Sequence, residues 1–176
     1  MTHGELVRQA ERWLYRHGCV LVVTEFSCNY SYEVPDALGW RSVGNSILME
    51  CKVSREDFKR DQLKQARMYE ACSIGQERYY FTPEGLLSPG ELPDGWGLLE
   101  WDGKRVHLKK QTRRRELSDY AGQTEIAILV SLFRRFNRQH LEGVSVKASI
   151  QRRPTKSRAR VGIVAGVKSK VSGSKS

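Results

Sequence analysis

Apolar residues recur along the chain with two periods, one helical and one of strands. At positions 5–16, Leu6, Ala10, Trp13 and Leu14, continued by His17, share one face at helical spacing, and Gly18 stops the run. Positions 20–26 are β-branched and aromatic and predict a strand, followed by a polar stretch with Cys28 and Asn29. A second strand is expected from about 32 to 40, a turn across 42–46, and a third strand over 47–53. The continuous run Ile47-Leu48-Met49 predicts an interior position in the sheet. Ser54 is a good N-cap with Glu56 and Asp57 in the first turn. It opens a long predicted helix carrying Phe58, Leu63, Ala66, Tyr69 and Ala71 that ends near Gly75. Positions 78–82 predict a strand, and the Pro and Gly series from Pro83 to Gly95 forces a loop. Positions 96–101 and 105–110 predict a hairpin around Asp102-Gly103. From 117 to about 140, Ile126, Leu129, Val130, Phe133 and Phe136 form a second helical stripe. The order helix, three strands, helix, one to three strands, helix predicts an α/β domain with a central mixed sheet.

Composition changes this picture mainly at the C-terminal end. Of 30 Lys and Arg in 176 residues, eight fall in 151–176 and no acid accompanies them, whereas residues 1–150 carry 22 basic and 20 acidic side chains. The expectation is a folded domain over 1–150 and a disordered basic tail over 151–176, a charge layout that suits a polyanionic partner. No apolar run is long enough for a transmembrane span, so no membrane partner is expected. The polar start at 1–11 and the absence of metal spacing among Cys19, Cys28, Cys51 and Cys72 predict reduced thiols in a cytoplasmic compartment. The four histidines show no zinc pattern.

The candidate chemistry lies in Glu33-Val34-Pro35-Asp36 and Glu50-Cys51-Lys52. Residues two apart on a strand share a face, so Glu50 and Lys52 project together and Cys51 points the other way. Two charges on a mostly buried strand cost several kcal/mol unless they are paired or bind something. A hairpin links this strand to Asp36, and two converging carboxylates repel unless a cation lies between them. Mg²⁺ (or Mn²⁺) wants oxygen ligands, and Asp36, Glu50 and the Cys51 carbonyl supply part of such a set. Lys52 would lie beside the metal, placed to orient water or stabilise negative charge. Glu33, three residues before Asp36, needs a bulge to join them.

Pro35-Asp36 followed by Glu50-Cys51-Lys52 resembles the PD-(D/E)XK motif of the restriction-endonuclease-like nuclease superfamily, and the predicted element order matches that superfamily's. The likeness extends to Ser54-Arg55-Glu56-Asp57-Phe58 with Asp61, to Arg78-Tyr79-Tyr80, to Pro83-Glu84-Gly85-Leu86 and to the stretch from Glu91 to Leu98. These segments are similar to a bacterial and phage branch, the MmcB-like DNA-repair nucleases, over roughly residues 2–110. The resemblance implies a restriction-endonuclease-like core and a metal-dependent deoxyribonuclease. Asp36 and Glu50 would be metal ligands and Lys52 the catalytic lysine. An acid from the first helix would join the metal, with Glu5 the candidate and Glu11 the alternative.

Lys104, Arg105, Lys109, Lys110, Arg113, Arg114 and Arg115 form a basic stretch with no acid among them. Phosphate contact is expected there, from Lys104, Arg105, Lys109 and Lys110, and in the tail from Arg152 and Arg153. The solvated alternative for the stretch is an exposed hairpin and linker. Asp57 and Asp61 read as structural or capping residues, and Met49 and Met68 as core. A two-fold homodimer, common among nucleases that cut both strands, stays open. The rival expectation is a nucleic-acid-binding module on the same fold that cuts weakly or not at all.

Overall fold

A computed structural model describes residues 1–137 other than Tyr30 and Tyr32, so the predicted tail, with Arg152 and Arg153, lies outside the described residues. The chain enters through α1 (His3–Arg16), which Thr2 opens two residues earlier than the apolar stripe suggests. Its hydroxyl accepts the Glu5 amide while the Glu5 carboxylate accepts the Thr2 amide at 2.7 Å, a reciprocal cap. Leu6, Val7, Ala10 and Leu14 of α1 are buried, whereas His17 is exposed and stacks on Trp13.

Six strands follow in spatial order identical to chain order: β1 (Leu21–Thr24), β2 (Ala37–Ser42), β3 (Asn45–Cys51), β4 (Glu77–Pro83), β5 (Gly97–Trp101) and β6 (Val106–Lys110). Strands β1 to β3 form an antiparallel meander, β3 to β5 run parallel, and β5–β6 is the hairpin expected at Asp102-Gly103. The mixed sheet is therefore observed. The second strand begins at Ala37 rather than near 32, because the chain leaves the sheet at Glu25, which takes a left-handed φ of 47°, and residues 33–36 are irregular.

The period-two pattern divides the core between the two faces of the sheet. Ile47, Met49 and Cys51 meet α1 together with Val22, Ala37, Tyr79, Phe81 and Leu99. Leu48 points to the other face, against Leu38, Tyr80, Leu98 and Trp96, and this layer is covered by Phe58, Ile128 and Leu132. Burial of this size on both faces, at about 25 cal/mol per Å² of apolar surface, is the main force holding the sheet.

Two helices differ from expectation. The long helix predicted after Ser54 is broken: α2 (Arg55–Gln62) ends at Leu63, and α3 (Gln65–Met68) is followed by a 3-10 turn at Glu70–Cys72. Neither Gly nor Pro marks the break. Leu63, Met68 and Tyr69, expected on the buried stripe, are exposed as a result. The last helix, α4 (Asp119–Asn137), buries Ala121, Thr124, Glu125, Ile128 and Leu132, so Ile126, Val130 and Phe133 face outward. Its register is fixed by Glu125, whose carboxylate accepts Trp40 Nε1–H at 2.8 Å, the Ser46 hydroxyl at 2.7 Å and the Gly75 amide at 3.0 Å. Gly75 sits at φ +81°, where a Cβ would come within 2.5 Å of Leu48 Cβ, so only glycine serves there. Among the described residues, no helix is long and apolar enough to cross a membrane.

Candidate active site

The carboxylate centre forms where β3 ends. Glu50 and Lys52 share the face of Leu48, as their alternation predicts, and Cys51 faces α1. Asp36 stands just before β2, the antiparallel neighbour of β3, so the register Ala37↔Met49 brings it alongside. The Cys51 amide donates to Asp36 Oδ2 at 2.7 Å, and the Lys52 ammonium lies 3.5 Å from that oxygen. Lys52 donates to Glu50 Oε2 at 2.8 Å and lies 3.3 Å from Asp61 Oδ1. Three carboxylates thus converge on one buried ammonium.

The same centre holds residues the sequence reading assigned elsewhere or did not assign. Asp61, expected as a structural or capping residue, joins the cluster: it accepts the Tyr80 hydroxyl at 2.7 Å and Arg67 Nε–H at 2.9 Å, and Lys64 Nζ stands 2.7 Å from its other oxygen. Gln62 in turn donates to the Tyr80 oxygen at 2.8 Å. Arg67 pairs with Glu33 and Asp61, comes within 3.1 Å of Glu50, and stacks over Trp96 at 4.6 Å. Glu33 needs no bulge, because its segment is irregular rather than strand. The break between α2 and α3 turns the chain so that both Lys64 and Arg67 reach the carboxylates. The signal available in the sequence was arithmetic: Glu33, Asp36, Glu50 and Asp61 around a single lysine demand further cations nearby.

Burial and charge act against each other here. Burial raises the Glu50 carboxyl above its usual range, with Arg67 opposing and Asp36 reinforcing the shift; Glu33 is raised likewise, by burial. Burial alone would depress the Lys52 ammonium, but Glu50, Asp36 and Asp61 outweigh it and hold Lys52 more firmly protonated than a free lysine. Burial would also raise Asp61, yet Arg67 and Lys52 prevail and its carboxyl is lowered.

The donor set suits a hard divalent cation. Mg²⁺ is commonly held by one or two carboxylates and completes its shell with water and phosphate oxygens. Asp36 and Glu50 are the pair that could hold such an ion, and Glu50 Oε1 is buried without a hydrogen bond, its 3.1 Å contact to Arg67 being misaligned. Among the described residues no group of three His, Cys, Asp or Glu side chains gathers into a complete metal cage. The Cys51 thiol is buried and its pKa is pushed well up by burial, which leaves the carbonyl as that residue's candidate ligand. Glu5 is not brought to this centre. Its carboxylate is engaged by Thr2, and it lines a separate cavity with Pro83 and Trp101. From α1 it is His3 that approaches, with Nε2 3.6 Å from Asp36 Oδ1.

The basic stretch divides. Lys109 pairs with Glu100 at 3.4 Å, Lys110 donates to the Pro89 carbonyl at 3.2 Å, and Arg113 pairs with Asp94. Arg114 donates to the Gly44 carbonyl, and Arg115 ties the 3-10 turn through Glu70 and Ser73. The side chains of Lys104 and Arg105 meet no acidic partner among the described residues.

No family model and no curated protein matches the chain. A solved structure of a protein of unknown function from Silicibacter pomeroyi is similar to it, with a TM-score of 0.59 and 24% identity over 81% of this chain and 95% of that chain. At that identity the likeness concerns the fold alone.

Proposed function

We propose that the chain is a Mg²⁺- or Mn²⁺-dependent nuclease that hydrolyses phosphodiester bonds in DNA, built on a restriction-endonuclease-like core. The observation that carries this reading is the convergence of Asp36, just before β2, and Glu50, on its antiparallel neighbour β3, on the Lys52 ammonium at 3.5 and 2.8 Å. Asp36 and Glu50 would hold the cation, which would supply Lewis-acid polarisation of the phosphate and lower the pKa of a nearby water. Lys52 is strongly held in its protonated form, so it does not take the proton from the attacking water. It donates hydrogen bonds, orienting the nucleophile and offsetting negative charge that grows on the phosphate oxygens. Arg67 fixes Glu33, Glu50 and Asp61 in place and limits their mutual repulsion.

The test is incubation of the purified full chain with plasmid, single-stranded and branched DNA, with and without Mg²⁺ or Mn²⁺. Wild type should yield metal-dependent products, and Asp36→Asn and Glu50→Gln should not, with melting curves confirming that both variants fold. Cleavage by either variant at the wild-type rate overturns the assignment.

A second reading is favoured by one observation: Lys52, Lys64 and Arg67 already lie against the carboxylates. A centre neutralised from within suits a nucleic-acid-binding module that cuts weakly or not at all. DNA binding without metal-dependent products selects that reading.

A further inference from the structure

On the opposite face of the sheet, α1 and the β5–β6 hairpin enclose a groove of about 480 Å³. Its lining holds five cationic side chains, Arg12, Arg16, Arg41, Lys104 and Arg105, against one carboxylate, Glu77. Glu77 is already spent on Arg41, which it meets at 2.6 Å. The remaining four cations have no acidic partner among the described residues. Nearby Asp102 does not supply one, because its carboxylate accepts the backbone amides of Lys104 and Arg105 and pairs with His107.

This concentration of charge has a cost inside the fold. Arg12 and Arg16 stand one helical turn apart on α1, and like charges at that spacing destabilise a helix. Arg16 lies in the last turn, where the helix dipole favours a cation. Arg12, a turn earlier, has no such reason, and no acidic side chain among the described residues pairs with it. An external anion would.

Between the cations lies an aromatic platform. Trp13 stacks on His17 with ring centroids 3.6 Å apart and planes 15° from parallel, and meets Tyr79 edge-on at 5.9 Å. His17 is exposed at the outer end of the stack. Tyr79 is fixed from beneath by a hydrogen bond from Gln111. Flat rings among unpaired guanidinium and ammonium groups match a ligand that alternates flat bases with phosphates, which is how single-stranded nucleic acid is bound without sequence reading. A duplex keeps its base faces stacked internally and offers none to such a platform.

We propose that this groove binds a single-stranded segment of nucleic acid, with phosphates on Arg12, Arg16, Lys104 and Arg105 and a base on the Trp13–His17 stack. Gln9 and Trp101 line both this groove and the cavity that reaches Met1 and Glu5 at the start of α1. That start is where His3 touches Asp36, so a strand leaving the groove is directed toward the end of β3 that carries the carboxylate centre. Binding in the groove stands whether or not that centre cleaves.

The experiment is fluorescence anisotropy of labelled oligo-dT and oligo-U strands of about 12 nucleotides with the full chain in EDTA, so that cleavage plays no part. The double variant Arg12→Glu with Lys104→Glu should bind about tenfold or more weaker, and His17→Ala should weaken binding by a smaller factor. A duplex of equal length and heparin should lose much less in the double variant. The two strand types separate DNA from RNA preference, and binding of either supports the groove. Photocrosslinking of an iodouracil-substituted strand should label the α1 peptide containing Trp13 and His17. Unchanged affinity in the double variant overturns the proposal, as does an equal loss for heparin or crosslinking only elsewhere. Asp36→Asn should keep strand binding while losing cleavage, so failure of the groove and failure of the nuclease reading are separately visible.

Discussion

Two buried carboxylates lie on one face of strand β3, Glu125 reaching one end from α4 and Glu50 belonging to the other end, and they are treated in opposite ways. At the Ser46 end, Glu125 accepts from an indole, a hydroxyl and a backbone amide, all neutral, and both of its oxygens are used. At the far end, Glu50 faces Lys52 and Arg67, shares its space with Asp36 and Asp61, and keeps one buried oxygen without a hydrogen bond. The first is a completed structural joint between α4 and the sheet. The second is a charged cluster whose members are held in mutual tension by burial. Burial is common to both; incomplete satisfaction by charged partners sets the second apart.

The largest effect should come from removing the clamp at the charged end. Arg67→Met leaves Glu33, Glu50 and Asp61 buried with less compensation, and should cost about 3–5 kcal/mol of stability near neutral pH by denaturant unfolding. Lowering the pH should shrink this loss, because protonating Glu33 and Glu50 removes the uncompensated charge. A loss that does not change with pH would mean that Arg67 contributes packing on Trp96 rather than charge. Next in size, Glu50→Gln should reduce metal-dependent cleavage by about 10²–10³-fold in a plasmid assay while the chain stays folded.

At the neutral end, Glu125→Gln places an amide donor where a donor already points. It should destabilise by about 1–3 kcal/mol in thermal melts and leave cleavage at the wild-type rate. Loss of cleavage there at full folding would erase the distinction between the two ends. The smallest effect concerns pH. Glu50 is raised in the fold, so its contribution to stability is fully present below its unfolded value of about 4.3 and is lost as pH rises through the higher folded value. Glu50→Gln carries no such loss. The variant's melting temperature relative to wild type should therefore climb as pH rises through that window, and a flat difference would mean that Glu50 is not raised.

The strand end was legible in the sequence because period two admits a single reading: Glu50 and Lys52 share a face whatever the rest of the fold does. Asp36 followed from the hairpin, since antiparallel pairing fixes which residue stands opposite the end of β3. The cations were not legible. Lys64 and Arg67 arrive only because the helix after Ser54 breaks at Leu63, where no Gly or Pro marks a break, and Arg67 beyond it pairs with Glu33, Glu50 and Asp61. The outward face of α4 was misread for a related reason. Ile126, Val130 and Phe133 form the stronger apolar stripe, but Glu125 binds three donors on the sheet and turns the weaker stripe inward. The basic stretch looked uniform as charge, yet most of it proved to serve internal carboxylates and carbonyls, leaving Lys104 and Arg105.

Strand β3 is hydrogen-bonded on both sides, with β2 antiparallel and β4 parallel to it, while Lys64 and Arg67 ride on a turn and a four-residue helix. Amide exchange should follow that difference: the interior strand opens only with the whole sheet, and the short helix opens by itself at far lower free energy. In such a local opening the carboxylates remain fixed while two of their counter-charges swing into water. The centre would then become more negative for as long as the short helix is open, and its attraction for cations would be timed by the breathing of six residues, positions 63–68.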